Sequence, residues 1–254
     1  MGRGEIMTEK SQKTGMLYGV GVGPGDPDLL TLKAVKVIAQ APVIAYPAAE
    51  NADSLARAIA APHIPEGKTE IAIVTPMVPG NFPANDVYDA YAKDISGHLS
   101  AGRDVAILCE GDPFLYGSFM YLFLRLAEDF PTQVVPGVSS LAACAAVAGA
   151  PLVSRNQVLT VIPGPLDEAE LEARLSGAEA AAIMKVGRHM AKVRDVLSRL
   201  GRLDRAQYVE RATMADQKVM PLADAPDKAP YFSMILVRSP ESVERSNKTG
   251  DNLP

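Results

Sequence analysis

The sequence predicts an α/β fold of two domains, the first of them built on a doubly wound sheet. Short β-type runs alternate with longer helical patterns along the chain, which is the rhythm of βαβ units. The 254 residues are enough for one large domain or two modest ones, and we favour two. A hydrophobic content of 48% with 22% charged residues is that of an ordinary globular protein.

The first half of the chain carries four alternating pairs of elements. Strands are predicted at 17–22, 43–46, 71–75 and 105–108, because these runs are short and apolar. Helices are predicted at 29–40, 52–61, 87–99 and 114–128, the last with apolar positions at Leu122, Leu126 and Phe130. We expect these elements to form one sheet with helices on both faces.

The second half begins after a candidate hinge at 131–136, where Val134 and Val135 start a new unit. An alanine-rich helix follows at 141–150. Further strands are predicted at 158–162, 181–184, 208–210 and 232–237, with helices near 167–175 and 190–200. The sheet is partly antiparallel if the last strands pair as a hairpin around 224–229. The predicted domains are 16–131 and 136–238, with a disordered extension over 1–15 and a disordered tail over 239–254.

Composition and charge exclude several classes of partner. The formal net charge of −5 argues against a general nucleic-acid surface. The longest apolar run, 141–153, is too short to span a bilayer, so no membrane partner is expected. Cys109 and Cys144 lie in apolar runs without C-x-x-C spacing, which indicates buried thiols in a reducing compartment and neither a disulfide nor a metal site. The N-terminus lacks the apolar region of a secretion signal, so we predict a cytoplasmic protein.

Two glycine-rich turns predict a ligand held by backbone groups. The first contains Gly21, Gly23 and Gly25 around Pro24, and the second is the run 110–113, Glu-Gly-Asp-Pro. Both follow strands, so both lie at the carboxyl edge of the sheet and form a crevice. The first turn does not fit the dinucleotide fingerprint G-x-G-x-x-G, because Pro24 or Asp26 occupies its last position. The simpler interpretations are a tight βα turn without a ligand and, for Asp112, a helix N-cap.

Other candidate residues follow later turns. Ser139 and Ser140 open the alanine-rich helix, where capping alone is favoured over contact with the polar end of a ligand. A hydrolase is disfavoured, because no G-x-S-x-G surrounds Ser139. Tyr116 lies near the start of a predicted helix and is the one candidate catalytic residue. Four cations in loops of the second half are either solvated or bind carboxylates: Arg155, Lys185, Arg188 and Arg211.

Taken together, the ordered motifs resemble those of the tetrapyrrole methylase family over about 16–238. These motifs are the glycine-rich turn at 21–26 followed by Leu-Leu-Thr at 29–31, Gly-Asp-Pro at 111–113, and Pro-Gly-Val-Ser-Ser at 136–140. The run 111–121, with Lys-Thr-Glu-Ile at 68–71 and Pro76-Met77, is similar more narrowly to the branch that methylates carbon C-20 of precorrin-2, giving precorrin-3A.

The resemblance implies two α/β domains with a cofactor cleft between them, assembled as a homodimer. It implies S-adenosylmethionine as cofactor, S-adenosylhomocysteine as product, and a tetrapyrrole as substrate. Cofactor contacts carried over to this chain are Pro24, Glu110, Gly111, Asp112, Leu115, Ser139, Ser140, Val186 and Ala212. The substrate bears many carboxylates, so Arg155, Lys185, Arg188 and Arg211 are expected at its rim.

Three alternatives stay open at this point. One is another branch of the family, which acts on a cobalt-bearing ring or at a different ring carbon. A second is a nicotinamide-dependent oxidoreductase, disfavoured by Asp26 in the fingerprint. The third is a binding or scaffold protein that holds S-adenosylmethionine without consuming it.

Overall fold

The computed structural model describes residues 13–50, 53–75 and 85–239. Most of the two predicted disordered ends, together with Pro76 and Met77, lies outside these residues. Gly15, assigned to the disordered extension, donates its backbone N–H to the Leu99 carbonyl at 2.8 Å. Ser239, assigned to the disordered tail, is 1% exposed. These two residues are therefore part of the fold, contrary to our assignment.

The first unit contains a parallel sheet of five strands in the order β3-β2-β4-β1-β5. Its strands are β1 (Leu17–Gly21), β2 (Val43–Ala48), β3 (Thr69–Val74), β4 (Val105–Cys109) and β5 (Thr132–Val135). Its helices are α1 (Leu32–Gln40), α2 (Leu55–Ala60), α3 (Asn85–Ser100) and α4 (Phe119–Leu126). The prediction of an α/β fold is confirmed, since each predicted strand and helix of this half is present.

Side chains alternate between two apolar layers on opposite faces of this sheet. Leu17 and Ile107 pack with residues of α3 and α4, whereas Val20 and Leu108 pack with residues of α1 and α2. All five residues of β4 are buried, as expected for a central strand covered on both faces. The sheet is thus doubly wound, as predicted.

Two boundaries in the first half differ from the predicted ones. Helix α4 begins at Phe119 and not at 114, because 113–117 form a turn in which Tyr116 has a φ of 58°. Strand β5 pairs with β1, so Val134 and Val135 complete the first sheet and do not start a new unit. By contacts, the described residues within 13–23 and 27–137 form the first unit, and 24–26 with 138–239 form the second. The division thus falls after the predicted hinge.

The second unit contains a mixed sheet in the order β6-β7-β10-β8-β9. Its strands are β6 (Leu159–Pro163), β7 (Ala180–Met184), β8 (Ala206–Glu210), β9 (Lys218–Pro221) and β10 (Ser233–Val237). Its helices are α5 (Ser140–Val147), α6 (Glu168–Ser176) and α7 (Met190–Arg199). The last two predicted strands do pair antiparallel, but β9 interrupts the simple hairpin. Strand β9 was not predicted; it has only four residues and ends on a proline.

Antiparallel pairing places the loops after β7 and β8 at one edge of this sheet. Strand β10 lies between them and runs the opposite way, so its amino end is at the same edge.

Cys109 and Cys144 are free and buried, and burial raises the pKa of each thiol to about 12. None of the described helices has the length and apolar character needed to cross a bilayer. Within 13–50, 53–75 and 85–239, no three His, Cys, Asp or Glu side chains are grouped to hold a metal ion.

Candidate functional site

The turns after β1 and β4 are joined by a reciprocal pair of backbone hydrogen bonds. Gly111 donates to the Gly23 carbonyl at 2.8 Å, and Gly23 donates to the Gly111 carbonyl at 3.3 Å. Gly23 and Gly111 have φ values of +81° and +65°, which other residues adopt only at a cost in free energy. The two glycine-rich turns are therefore in direct contact at the carboxyl edge of the first sheet, as the sequence predicted.

A third turn, after β5, packs against the same two. A Cβ atom added to Gly137 would lie 2.0 Å from the Gly111 carbonyl oxygen, and one added to Gly21 would lie 2.5 Å from the Gly137 nitrogen. No side chain fits at either position. We call Gly21, Gly23, Gly111 and Gly137 the glycine junction; the absence of side chains there lets the three turns pack backbone against backbone.

Asp112 links two turns of this junction through its carboxylate. Oδ1 accepts hydrogen bonds from the backbone N–H groups of Phe114 and Leu115 at 2.9 and 3.2 Å. Oδ2 accepts one from the N–H of Gly137 at 3.1 Å. Asp112 stabilises the turn that precedes α4 and does not cap that helix, whose N-cap residue is Ser118. The capping interpretation is therefore corrected: the side chain has a structural role in the turn and ties it to the turn after β5.

Glu110 is partly buried beside the amino end of α2. Its Oε1 accepts a hydrogen bond from the backbone N–H of Ala56 at 3.2 Å. Burial raises the pKa of the Glu110 carboxyl, although its hydrogen bonds to backbone N–H groups act in the opposite direction. The Glu110 side chain is thus held in place, and its carboxyl group lies near the carboxyl edge of the first sheet.

Leu115 and Tyr116 both lie in the exposed turn before α4. Their side chains are 36% and 45% exposed. A Cβ atom on Gly117 would lie 2.4 Å from the Pro113 carbonyl oxygen, so the tight turn requires glycine at this position. Tyr116 lies in this turn and has a non-helical backbone conformation. The role of Tyr116 as a catalytic residue stays a prediction.

Ser139 occupies the N-cap position of α5 without making a side-chain capping bond. Thr31 and Ser54, in contrast, accept hydrogen bonds from the third residue of their own helices. The interpretation of Ser139 as only a cap is therefore wrong, because its hydroxyl does not satisfy the helix. It lies at a helix N-terminus, where polar and anionic groups are favoured. Ser140 is the first residue of the helix.

The difference between two serines gives a direct test. Ser54→Ala is expected to cost about 1 kcal/mol of unfolding free energy, because Ser54 Oγ accepts from Arg57 N–H. Ser139→Ala is expected to cost less than about 0.5 kcal/mol, since no capping bond is lost. If the hydroxyl instead meets a ligand, Ser139→Ala lowers affinity for S-adenosylhomocysteine by roughly five- to tenfold. Thermal denaturation and titration calorimetry measure the two effects; equal losses of stability would contradict the distinction.

The segment 24–26 packs with residues of the second unit. Its Asp26 donates a backbone N–H to Thr213 Oγ1 at 3.1 Å. A Cβ atom on Gly25 would lie 2.6 Å from Met214 Cγ, so a larger residue here would have to displace the Met214 side chain. Pro24 is itself buried. This contact with the loop after β8 was not predicted, since residues 187 positions apart have no shared sequence signal.

The side chains of Val186 and Ala212, two predicted cofactor contacts, point into apolar layers. Val186 is fully buried among residues of α6 and α7, and Ala212 is 6% exposed in the layer that includes α5. If either residue meets a ligand, it does so through its backbone. Gly164 supports the same region, because it donates its N–H to the Met184 carbonyl at 2.7 Å.

The structure brings together three of the four predicted cations. Lys185 and Arg188 follow β7 and Arg211 follows β8, at one edge of the second sheet. Arg155 belongs instead to a turn before β6 whose Gln157 accepts a hydrogen bond from Ser239, beyond the other end of β10. Arg155 therefore lies apart from the other three cations, although all four were expected at the rim of one substrate.

Arg211 is already engaged by acidic side chains. Its guanidinium lies 2.6 Å from Asp216 and 3.5 Å from Glu210. Lys185 and Arg188 are exposed, and the Nε of Arg188 lies 3.4 Å from Nε2 of His189. Burial and two neighbouring cations lower the pKa of His189. Arg188 is therefore better placed than Arg211 to bind a carboxylate of a ligand.

Most of the residues with a strained backbone are candidate site residues predicted from the sequence. Among the described residues, the non-glycine positions with positive φ are Tyr116, Arg155, Lys185, Arg211 and Thr213. Such conformations cost about 1–2 kcal/mol each and are concentrated at functional sites. Four of these five were selected from the sequence on chemical grounds; Thr213 was missed, as was the buried Glu210.

A sequence profile of the family described as Tetrapyrrole (Corrin/Porphyrin) Methylases matches residues 16–226. The chain belongs to the tetrapyrrole methylase family. The family resemblance noted in the sequence is thus confirmed. Because the family is one of methylases, the oxidoreductase alternative is set aside.

Individual tetrapyrrole methylases match over almost their whole length. The chain is 47% identical over 232 residues to a precorrin-2 C(20)-methyltransferase from Sinorhizobium sp, covering 88% of this chain and 95% of that protein. It is 32% identical to a cobalt-precorrin-2 C(20)-methyltransferase from Salmonella typhimurium, covering 88% and 96%. Among solved structures, a cobalt precorrin-4 methyltransferase superposes with a TM-score of 0.69 at 27% identity, covering 88% and 94%.

Proposed function

We propose that this chain is a precorrin-2 C(20)-methyltransferase, which transfers a methyl group from S-adenosylmethionine to C-20 of precorrin-2 and yields precorrin-3A in cobalamin biosynthesis. The observation that carries the proposal is 47% identity, over 88% of the chain, to a methyltransferase with that name. The site supports it independently, since backbone turns and cationic loops suit a cofactor and a polycarboxylate substrate.

The turns at the carboxyl edge of the first sheet suit S-adenosylmethionine. The glycine junction brings the turns after β1, β4 and β5 together backbone to backbone, and the Glu110 carboxyl, which can accept hydrogen bonds from hydroxyl or amino groups of a ligand, lies in the same turn as Gly111. We assign cofactor contacts to Pro24, Glu110, Gly111, Asp112, Leu115, Ser139, Ser140, Val186 and Ala212. Asp112 acts by holding the turn, because its two oxygens already accept three backbone hydrogen bonds.

The chemistry requires alignment more than acid–base catalysis. Bound S-adenosylmethionine supplies a methyl group on a positively charged sulfur, already activated toward attack by a nucleophilic carbon. The chain then has to hold donor and acceptor in line, and orientation of this kind contributes several kcal/mol. A carboxylate placed at the sulfonium would bind it but oppose transfer, since the positive charge disappears in the transition state. The methylated carbon also releases one proton; we assign no base to this step, and Tyr116, in the exposed turn, stays the candidate catalytic residue.

Arg188 is proposed to bind a peripheral carboxylate of the tetrapyrrole, with Lys185, Arg211 and Arg155 as further candidates. Arg188→Ala is expected to raise the Kd for the tetrapyrrole about tenfold, because one charge-assisted hydrogen bond is lost. The Kd for S-adenosylhomocysteine should stay unchanged. Arg174→Ala is the matched control: it removes an exposed arginine of α6 that is assigned to neither ligand, and it should leave both constants unchanged. Equal loss of both ligands in Arg188→Ala would reject the assignment.

The metal state of the substrate distinguishes the proposal from its nearest alternative. The Salmonella relative is named for cobalt-precorrin-2 and is 32% identical, against 47% for the relative named for precorrin-2. We therefore favour the metal-free ring. The test is anaerobic incubation with methyl-labelled S-adenosylmethionine and either metal-free or cobalt-loaded precorrin-2, followed by mass spectrometry and carbon NMR. Label at C-20 of the metal-free ring supports the proposal; label only on the cobalt ring favours the alternative, and cofactor binding without transfer rejects both.

We also propose a cytoplasmic homodimer. Exposed apolar side chains in and before α4 support a protein contact: Phe114 is 51% exposed, Met120 40% and Leu124 71%. Met120 and Leu124 lie one helical turn apart, so they share a face of α4. The two buried free cysteines are those of a reducing compartment. Light scattering should give twice the mass of a single chain.

A further inference from the structure

A buried carboxyl group lies at the end of β8 without a role in the proposed function. Glu210 is 4% exposed, and its Oε2 accepts a hydrogen bond from the hydroxyl of Tyr208 at 2.8 Å. The Tyr208 hydroxyl is also 3.1 Å from that of Ser233, on the neighbouring strand β10. Tyr208 is fully buried and lies on the same face of β8 as Glu210, two residues away. The carboxyl group is therefore fixed from the interior of the second unit.

The other carboxyl oxygen of Glu210 faces cations. Oε1 accepts a hydrogen bond from Lys218 Nζ at 3.2 Å and lies 3.5 Å from an Arg211 guanidinium nitrogen. The same guanidinium lies 2.6 Å from Asp216. Removal of one partner of a buried charge pair is strongly unfavourable, because the remaining charge is left unpaired. Glu210 thus connects the core of the sheet to the side chain of Arg211.

Arg211 begins a tight loop with an unusual backbone. Arg211 and Thr213 have φ values of 48° and 69°, and Ala212 between them is buried. The Thr213 N–H donates to the Gln217 side chain at 2.9 Å, and the Arg211 N–H donates to the Phe232 carbonyl at 2.8 Å. The loop therefore depends on side-chain contacts to hold a conformation that its residues do not favour.

The far side of this loop holds the segment that contains Pro24. Thr213 Oγ1 accepts the backbone N–H of Asp26, and a Cβ atom added to Gly25 would lie 2.6 Å from Met214 Cγ and 3.2 Å from the Ala212 carbonyl oxygen. A continuous set of contacts thus leads from Tyr208 through Glu210 and Arg211 to Pro24–Asp26. Two of the proposed cofactor contacts, Pro24 and Ala212, depend on this set.

We infer that Glu210 is a positioning residue for cofactor binding: its buried carboxylate holds Arg211, and thereby fixes the loop 211–214 and the segment 24–26 in the geometry that receives the cofactor. The identity of the ligand in this inference rests on the proposed function. Glu210 does not itself touch the ligand in this account. Glu210 instead fixes the positions of two backbone segments, 211–214 and 24–26. A displacement of about 1 Å in supporting residues is enough to weaken a binding site.

Glu210→Gln tests this inference in the full chain. Glutamine keeps the volume and an oxygen that accepts from Tyr208, but removes the charge that holds Arg211 and Lys218. Hydrogen exchange of the Asp26 amide, measured by NMR without ligand, reports whether Asp26 still donates to Thr213. We expect that amide to exchange at least about tenfold faster than in the unmodified protein, and the Kd for S-adenosylhomocysteine to rise at least about tenfold. Glu168→Gln is the control: it breaks an exposed ion pair with Arg199 in the same unit and should change neither value.

Unchanged exchange of the Asp26 amide in folded Glu210→Gln would overturn the inference, and so would a change no larger than that in Glu168→Gln. If Glu210→Gln does not fold, Tyr208→Phe replaces it, because this substitution keeps the buried ring and removes the hydroxyl that fixes Glu210 Oε2; the Asp26 amide should then exchange at least about threefold faster, and unchanged exchange would overturn the inference. Failure of the unmodified protein to bind S-adenosylhomocysteine would count against the proposed function, whereas the exchange measurement still decides the role of Glu210.

Discussion

Gly137→Ala is expected to destabilise this protein by at least about 3 kcal/mol, the upper range for overpacking a close contact. The added Cβ would lie 2.0 Å from the Gly111 carbonyl oxygen and 2.8 Å from Gly21 Cα, both backbone atoms that no rotamer change can move. Accommodation requires that the turns after β1, β4 and β5 separate. We expect a midpoint of thermal unfolding lower by roughly 6–12 °C and no measurable binding of S-adenosylhomocysteine.

The matched control is a glycine with open space around it. Gly97 lies inside α3, and a Cβ atom there meets nothing within 4 Å. Gly97→Ala should therefore stabilise the protein by about 0.5–1 kcal/mol through helix propensity, with no effect on the ligand. The two substitutions are chemically identical and have opposite expected signs. A Gly137→Ala protein with unaltered stability would show that the junction is not closely packed.

Asp112→Ala is expected to lower affinity for S-adenosylhomocysteine at least about 100-fold, equivalent to about 2.7 kcal/mol. The substitution leaves three backbone N–H groups, those of Phe114, Leu115 and Gly137, without their carboxylate acceptor. Two of these bonds are exposed to solvent and the third is partly buried, so we take the ordinary contribution of about 0.5–1.5 kcal/mol each, which together accounts for a loss of this size. Titration calorimetry measures the affinity, and chemical denaturation measures the stability.

Two further variants separate the roles of the two carboxyl oxygens. Asp112→Asn keeps an acceptor for Phe114 and Leu115 but presents an N–H₂ group to the Gly137 N–H, so we expect an intermediate loss of affinity of roughly tenfold. Asp167→Ala removes a carboxylate that accepts one backbone hydrogen bond, from Glu170, at the start of α6. It should cost about 1 kcal/mol of stability without changing affinity. Equal affinity in Asp112→Asn and the unmodified protein would limit Asp112 to the local turn.

Local sequence patterns determined the elements and the candidate turns. Each predicted strand and helix is present, because alternation of apolar residues and their helical spacing reflect only near neighbours. Glycines at 21, 23 and 111 indicated backbone turns at strand ends, and that is where they lie. The family could be inferred for the same reason, since its motifs are short and retain their order along the chain.

Only the tertiary structure decided which of these turns meet and what their side chains contact. Pairing of β5 with β1 brings Gly137 against Gly111, and it turns Asp112 from an expected helix cap into a tie between two turns. Strand direction likewise separates Arg155 from Lys185 and Arg188, although all three are cations in loops. Sheet register and direction are long-range properties, so residues that are alike in the sequence acquire different neighbours only when the strands pair.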